Sequence, residues 1–417
     1  MEYYDPMFYL CSEEMPFTIR IETKMTDEVR GEDLFAAMTE AFLRYPYFSV
    51  RVVERDGEYV LVHNDAPAAV YEGDGTVPLG SEKLGYHLTA IAYSGRMMHF
   101  CTSHVMTDGA GFFPFIKTVL YLYLCRRYGK TLDPAGIRLP SDPFYPDEIG
   151  NPFPEEKMLT AAPFYVDRHR PFFRLRGGGY VTDATPTMYR FRIGEKEFLD
   201  YNNDVDGSPC ALVSSLMARA VWRLHPDVTD DIVSAVSFNL RPGLGNRASY
   251  RMLCSSINLH YRSSMRDFDI TKLCTCSRGM TTMQTQPEDV LYCAEQRRRD
   301  MEKLLAVPGL QTKKEILSKK ALADSVNNTF SVSYVGRVDF GSILPYVESM
   351  YNVTDGSTYK TVFIEVAAVN GYFNIAFLQG FSSDVYYRAF LHELDVCGIA
   401  YTEDGVSPMN APKIELP

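Results

Sequence analysis

A net charge of −11 over 417 residues leaves no excess of basic residues for phosphate binding, which argues against nucleic-acid binding as the main role. With 46% apolar and 23% charged residues the composition is that of an ordinary globular protein, and the length exceeds what one core supports, so two domains or large subdomains are expected. No membrane span is predicted: the longest apolar run, Phe112 to Leu124, is too short and carries Lys117.

In chain order, Phe17 to Thr23 alternates apolar and polar residues and reads as a half-buried strand. A helix is predicted from Gly31 to Leu43, with Leu34, Phe35, Met38, Ala41 and Phe42 on one face and Pro46 beyond its end. Strands from Phe48 to Val53 and from Glu58 to Val62 flank Asp56-Gly57, a hairpin signal. A strand from Leu88 to Tyr93, a turn at Ser94-Gly95 and a strand from Met97 to Thr102 lead into His104-Val105-Met106-Thr107-Asp108-Gly109. A helix follows from Phe112 to about Tyr128.

Between about Leu139 and Pro186 the composition changes. Pro140, Pro143, Pro146, Pro152, Pro154 and Pro163 interrupt this stretch, and the triplet Gly177-Gly178-Gly179 reads as a flexible connector, so the segment is an irregular crossover. The second half opens with a strand from Met188 to Ile193 and a helix from Gly194 to Tyr201. Ser208-Pro209 starts another helix, Ser as N-cap and Pro at the first helical position. A strand from Ile232 to Leu240 comes next, then a strand from Ile257 to Tyr261 and helices from Ile270 to Met283 and from Asp289 to Leu305. A strand from Phe330 to Val338, a hairpin of Val362 to Ala368 and Tyr372 to Leu378 about Asn370-Gly371, and a last helix from Ser383 to Cys397 complete the predicted elements.

The nine cysteines show no CxxC and no Cys/His metal spacing, so they read as free thiols in a reducing cytoplasm and no metal site is expected. Met1 to Asp5 lacks the basic and apolar regions of a signal peptide. The basic clusters Arg297-Arg298-Arg299 and Lys313-Lys314 read as solvated helix faces, with docking of a phosphate-bearing cofactor or an acidic carrier protein as the sharper alternative.

The chemistry points to residues 104–109. A histidine at a strand end beside a glycine is a natural place for proton transfer. The same residues also fit a satisfied core histidine followed by an ordinary turn.

This hexapeptide resembles the HHxxxDG signature of the condensation-domain and chloramphenicol acetyltransferase-like acyltransferase superfamily, with Ser103 in place of the first histidine. The segments Ser237 to Arg241, Ser333 to Gly336 and Tyr372 to Phe377 are similar to further elements of that superfamily, and Val338-Asp339-Phe340-Gly341 resembles the DFGWG element of its plant branch without the Trp-Gly. The resemblance covers nearly the whole chain. It implies an α/β fold of two related halves forming a V about a central cleft: residues 1–138 with the motif, a linker at 139–186, and residues 187–417.

The resemblance further implies an enzyme that moves an acyl group from acyl-CoA, or from acyl-phosphopantetheine on a carrier protein, to a hydroxyl or amine of a small molecule. His104 would be the general base; an imidazole ordinarily titrates near 6.5, which suits that role at neutral pH. Asp108 would be structural, pairing with Arg241 to hold the loop, and Gly109 would let the chain turn and the substrate approach. Ser333, Asn239 or a backbone N–H near Gly109 would supply the oxyanion donor. A monomer is expected, since both halves lie in one chain, and the remaining alternative is a non-catalytic binding protein with the same fold.

Overall fold

The computed structural model describes residues 6–9, 17–153, 171–324, 327–355 and 362–409. Met1 to Asp5, Pro154 and Pro163 lie outside them. In chain order the first elements are β1 (Thr18–Met25), α1 (Gly31–Arg44), β2 (Val50–Arg55), β3 (Glu58–His63), β4 (Val70–Glu72), β5 (Thr89–Ser94), β6 (Met97–Ser103) and α2 (Gly109–Tyr128). After the crossover come β7 (Thr187–Gly194), α3 (Glu195–Asp204), α4 (Pro209–Leu224), β8 (Ile232–Asn239), the short α5 (Arg241–Leu244) and β9 (Cys254–Tyr261). The chain continues through α6 (Ile270–Gln284), α7 (Pro287–Leu305), α8 (Leu310–Asp324), β10 (Phe330–Arg337), β11 (Val347–Asp355), β12 (Val362–Val369), β13 (Tyr372–Gln379), α9 (Val385–Val396) and β14 (Tyr401–Pro408).

The strands form a five-stranded sheet of order β11-β1-β6-β5-β4, a seven-stranded sheet of order β14-β7-β13-β12-β10-β8-β9, and the separate hairpin β2-β3. Local chemistry explains many boundaries. Asp56-Gly57 and Asn370-Gly371 turn with φ of 55° and 76° and of 51° and 77°, the left-handed pair that two-residue hairpins need. Ser208 caps α4 by accepting from the Ala211 amide, with Pro209 in the first turn. In α1 the buried face is Leu34, Ala37, Met38 and Ala41. Phe35, expected on that face, is 41% exposed: the helix meets its sheet one residue round, and Ala37 takes the inner position. The apolar faces of α1 and α2 share one core with Ile91, Met98 and Phe100 of the first sheet. A second core joins α4 and α9 to the inner faces of β7, β12 and β13.

Five elements were not foreseen: β4, α5, α8, β11 and β14. Strand β11 matters most. It follows β10 in the chain yet pairs antiparallel with β1, Thr18 opposite Asp355 and Ile21 opposite Asn352, so the second half supplies an outer strand of the first sheet. Its other face packs Tyr351 and Val353 against Met188, Ala376 and Leu378 of the second sheet. The two sheets are also joined by charge. Buried Glu22 of β1 accepts from Arg190 of β7 at 2.8 Å and pairs with buried Arg20 at 3.2 Å.

The described parts of the crossover contain the 3-10 turns Pro146–Glu148 and Leu175–Gly178. Gly178 is not a flexible linker residue. A Cβ there would come within 2.3 Å of the His225 ring, so glycine serves close packing. Upstream, the fully buried Glu148 accepts two hydrogen bonds from buried Arg44 of α1, at 2.9 and 2.6 Å, and a third from Arg138. Glu148→Ala would strand a buried guanidinium, and the expected loss is about 3 to 5 kcal/mol in urea denaturation. A loss below about 1 kcal/mol would show that this clamp does not hold the crossover.

Candidate active site

Strand β6 ends at the fully buried Ser103, and the chain leaves it in a tight loop before α2 begins. The His104 amide donates to the Phe17 carbonyl at 2.6 Å, and the Tyr47 hydroxyl donates to the Met106 carbonyl at 2.7 Å, so the loop is pinned at both ends. His104 is half-buried and lines a cavity of about 510 Å³. Its Nδ1 lies 2.9 Å from the Thr107 carbonyl oxygen. A carbonyl can only accept, so Nδ1 carries the hydrogen, and in the neutral ring Nε2 is left with the lone pair. That nitrogen can take a proton from a group bound in the cavity.

Asp108 is engaged elsewhere. Its Oδ1 accepts from the Gly111 amide at 2.9 Å, capping α2, and its Oδ2 accepts from the Leu253 amide and from Arg241 Nη1, both at 2.8 Å. Arg241 is buried too, and its remaining donors go to the carbonyls of Ser249 at 2.9 Å and Arg251 at 2.5 Å. The pair ties the loop after β6 to the segment between β8 and β9. Both oxygens of Asp108 are thus occupied by these partners. Asn239 belongs to the same knot: its Oδ1 accepts from the Arg241 amide at 3.0 Å and from Nη1 at 3.2 Å, which leaves its Nδ2 to donate.

Gly109 does not serve the turn as expected. It is not among the glycines with positive φ, so the turn does not depend on it. A Cβ there would sit 3.2 Å from Val335 Cγ1. The stricter requirement falls on Gly111, where a Cβ would lie 2.3 Å from the Tyr250 carbonyl oxygen and 2.5 Å from Thr107 Oγ1.

The cavity draws on both sheets: Ile19, Asn352 and Thr354 from β1 and β11, Ser237, Ser333 and Glu365 from β8, β10 and β12. Glu365, Asn352 and Thr354 were missed in the sequence. The one available signal was an acid within the apolar run Val362 to Val369. Glu365 is buried and accepts from the Thr354 hydroxyl at 2.6 Å. Burial pushes its carboxyl up to about 7, against the opposing pull of the Thr354 and Ser333 hydroxyls. Ser333 therefore already bonds to a carboxyl. Cys254 also lines the cavity, but burial pushes its thiol up to about 11, so it is no thiolate nucleophile at neutral pH.

Of the basic clusters, Arg298 and Arg299 pair with Glu295 on their own helix, and Lys313 is buried against Glu58. Only Arg297 of these reaches the cavity, while donating to the Cys254 carbonyl. A separate shallow depression of about 490 Å³ lies at the β13 turn, lined by Glu195 and Tyr372, away from His104. Among the described residues no group of three His, Cys, Asp or Glu side chains could hold a metal ion, and no helix is long and apolar enough to cross a membrane. Every described cysteine is free.

No protein-family model matches the chain, and no curated protein is similar to it in sequence. Solved structures are similar in fold. The trichothecene 15-O-acetyltransferase TRI3 of Fusarium sporotrichioides aligns with a TM-score of 0.62 at 11% identity, covering 93% of this chain and 92% of that one. F. sporotrichioides TRI101, complexed with coenzyme A and T-2, aligns with a TM-score of 0.60 at 11% identity over 96% and 99%. The starter condensation domain of rhizomide synthetase in complex with C8-CoA aligns with a TM-score of 0.59 at 12% identity over 97% and 93%. The chain has the mixed α/β fold shared by condensation domains and these acetyltransferases.

Asp108→Ala would leave the Arg241 guanidinium buried without its counter-charge. It is expected to lower stability by about 3 to 5 kcal/mol, with Arg241→Ala costing a similar amount and the double variant well short of the sum. Additive losses in urea titrations would show that the two do not act as a unit. Glu365 carries a pH signature. Between pH 4.5 and about 7 the unfolded carboxyl ionises while the folded one stays protonated, so this group's contribution to stability falls as pH rises across that window, by on the order of 3 kcal/mol. Glu365→Gln removes the effect, so the variant's melting temperature should gain on the wild type from pH 4.5 to 7; a constant difference would place the Glu365 carboxyl in the ordinary range.

Proposed function

We propose that this protein is an acyltransferase that carries an acyl group from a thioester, acyl-CoA in the first instance, to a hydroxyl or amine of a small molecule. The observation that carries the reading is the His104 ring, with Nδ1 committed to the Thr107 carbonyl on the wall of a substrate-sized cavity. Nε2 takes the proton of the acceptor as its oxygen or nitrogen attacks the thioester carbonyl. The tetrahedral oxyanion then collapses, the C–S bond breaks, and the imidazolium returns its proton to the leaving thiolate. The products are an ester or amide and a free thiol, and no acyl-enzyme is formed.

The N-terminus of α2 opens on the cavity through Gly109 and Ala110. Its partial positive charge, with Asn239 Nδ2, suits the developing oxyanion. The chain is organised as halves 1–138 and 187–417, joined by 139–186 and facing each other as a V about this cavity, so one copy suffices for a complete site.

Condensation domains among the similar folds favour one second reading, in which the acyl group arrives on the phosphopantetheine of a carrier protein. Thermal shifts with coenzyme A thioesters from acetyl to long-chain separate the two. A preferred thioester at a hundred times its dissociation constant should stabilise the protein by about 2.7 kcal/mol. Thiol release from that donor should fall at least about a hundredfold in His104→Ala. No shift with any coenzyme A thioester, together with release from an acyl carrier protein, would establish the second reading. No release from either donor would leave a binding protein with this fold.

A further inference from the structure

Strand β12 is apolar except at Glu365. Its neighbours Ile364 and Val366 point into the core of the second sheet, whereas Glu365 points the other way, into the cavity that holds His104. Burial favours the neutral form of this carboxyl, while the Thr354 hydroxyl at 2.6 Å and the Ser333 hydroxyl favour its ionised form. Among the described residues no lysine, arginine or histidine acts on it. A buried carboxylate without a counter-charge is costly.

Asn352 raises the same question from the opposite wall. It lies two residues before Thr354 on the same face of β11, about 7 Å along the strand. It is 4% exposed and lines the cavity, and neither its Oδ1 nor its Nδ2 has a hydrogen-bond partner among the described residues. Buried amides are almost always satisfied, and each unmet group costs about 1 to 3 kcal/mol. Among the described residues the cavity thus holds an acid lacking a cation and, two residues along β11 from that acid's partner Thr354, an amide lacking both partners.

We propose that Glu365 and Asn352 anchor the acyl acceptor by a protonated amine, which donates to the Glu365 carboxylate and the Asn352 amide oxygen while a second group of the same molecule faces His104. The proposal rests on the acyltransferase reading and names its acceptor class. An ammonium offers three donors and a charge, and so meets the acid and the Asn352 Oδ1 at once, while Nδ2 is left to donate to an oxygen of the same molecule. A neutral diol would satisfy Asn352 but leave the acid unpaired. The anchored ammonium has no lone pair and cannot be the nucleophile. The acceptor is therefore bifunctional, an amino alcohol or a diamine, acylated at its far end. The net charge of −11 also draws cations toward the protein.

The test compares linear amino alcohols with diols of equal length as acceptors, with the preferred acyl-CoA as donor. Wild-type kcat/KM should favour the amino alcohol at least tenfold, and Glu365→Gln should cut that ratio tenfold or more. Glutamine keeps the side-chain shape and an oxygen for the Thr354 hydroxyl, so the fold is retained. A ratio near one in the wild type, or a ratio unchanged in Glu365→Gln, overturns the proposal. If the wild type acylates neither acceptor and releases no thiol from either donor, the acyltransferase reading fails separately, and calorimetric titration of the amino alcohols then decides. Binding weakened tenfold in both Glu365→Gln and Asn352→Ala supports the anchor; equal affinities, or no binding to the wild type, overturn it.

Discussion

The buried pair of Asp108 and Arg241 is the constraint on which the site depends. One carboxylate meets two backbone amides and a guanidinium, and that guanidinium spends its other donors on two carbonyls and Asn239. Removing two charges from water is costly, and only such complete pairing makes it tolerable. The result is a fixed point where the end of β6, the start of α2 and the approach to β9 meet. Thr107 is the residue just before this fixed point, and its carbonyl sets the tautomer of His104. The ring nitrogen that carries the lone pair is thus oriented by a neighbour that a buried ion pair holds still.

A second constraint acts between the sheets. Strand β11 is hydrogen-bonded into the first sheet and packed on the second, and Glu22 with Arg190 bridges them by charge. The cavity walls are therefore joined by strand pairing, apolar contact and an ion pair. Relative motion of the two sheets would have to break all three. This favours a preformed cavity whose polar groups are set before substrate arrives, the arrangement that makes electrostatic stabilisation effective.

Much of this was legible in the residues. The hairpins at Asp56-Gly57 and Asn370-Gly371 and the cap at Ser208-Pro209 could be read because turn and cap chemistry is local. The strand, loop and helix around His104 could be read because they follow one another in the chain. Strand β11 could not. Its alternation is broken at Ser349 and Met350, and its partner β1 lies more than 300 residues away. Strand β14 was hidden for another reason: it is an exposed outer strand, polar through Thr402, Glu403 and Asp404, whose pairing with β7 needs no apolar pattern. Glu365 passed as one acid in an apolar hairpin, and its place beside Thr354 and Ser333 exists only in three dimensions. Gly111 gave no sign either, because the backbone that most closely confines it, at Tyr250, lies far along the chain.

The central claim is that His104 presents Nε2 as a base because the loop holds hydrogen on Nδ1. Nitrogen-15 NMR of the imidazole ring in the full-length protein, above the pH at which His104 is protonated, tests it directly. The account predicts the Nδ1–H tautomer with an unprotonated Nε2. An Nε2–H tautomer with a bare Nδ1 would mean that the Thr107 carbonyl does not hold the ring, and the base assigned to this site would be wrong.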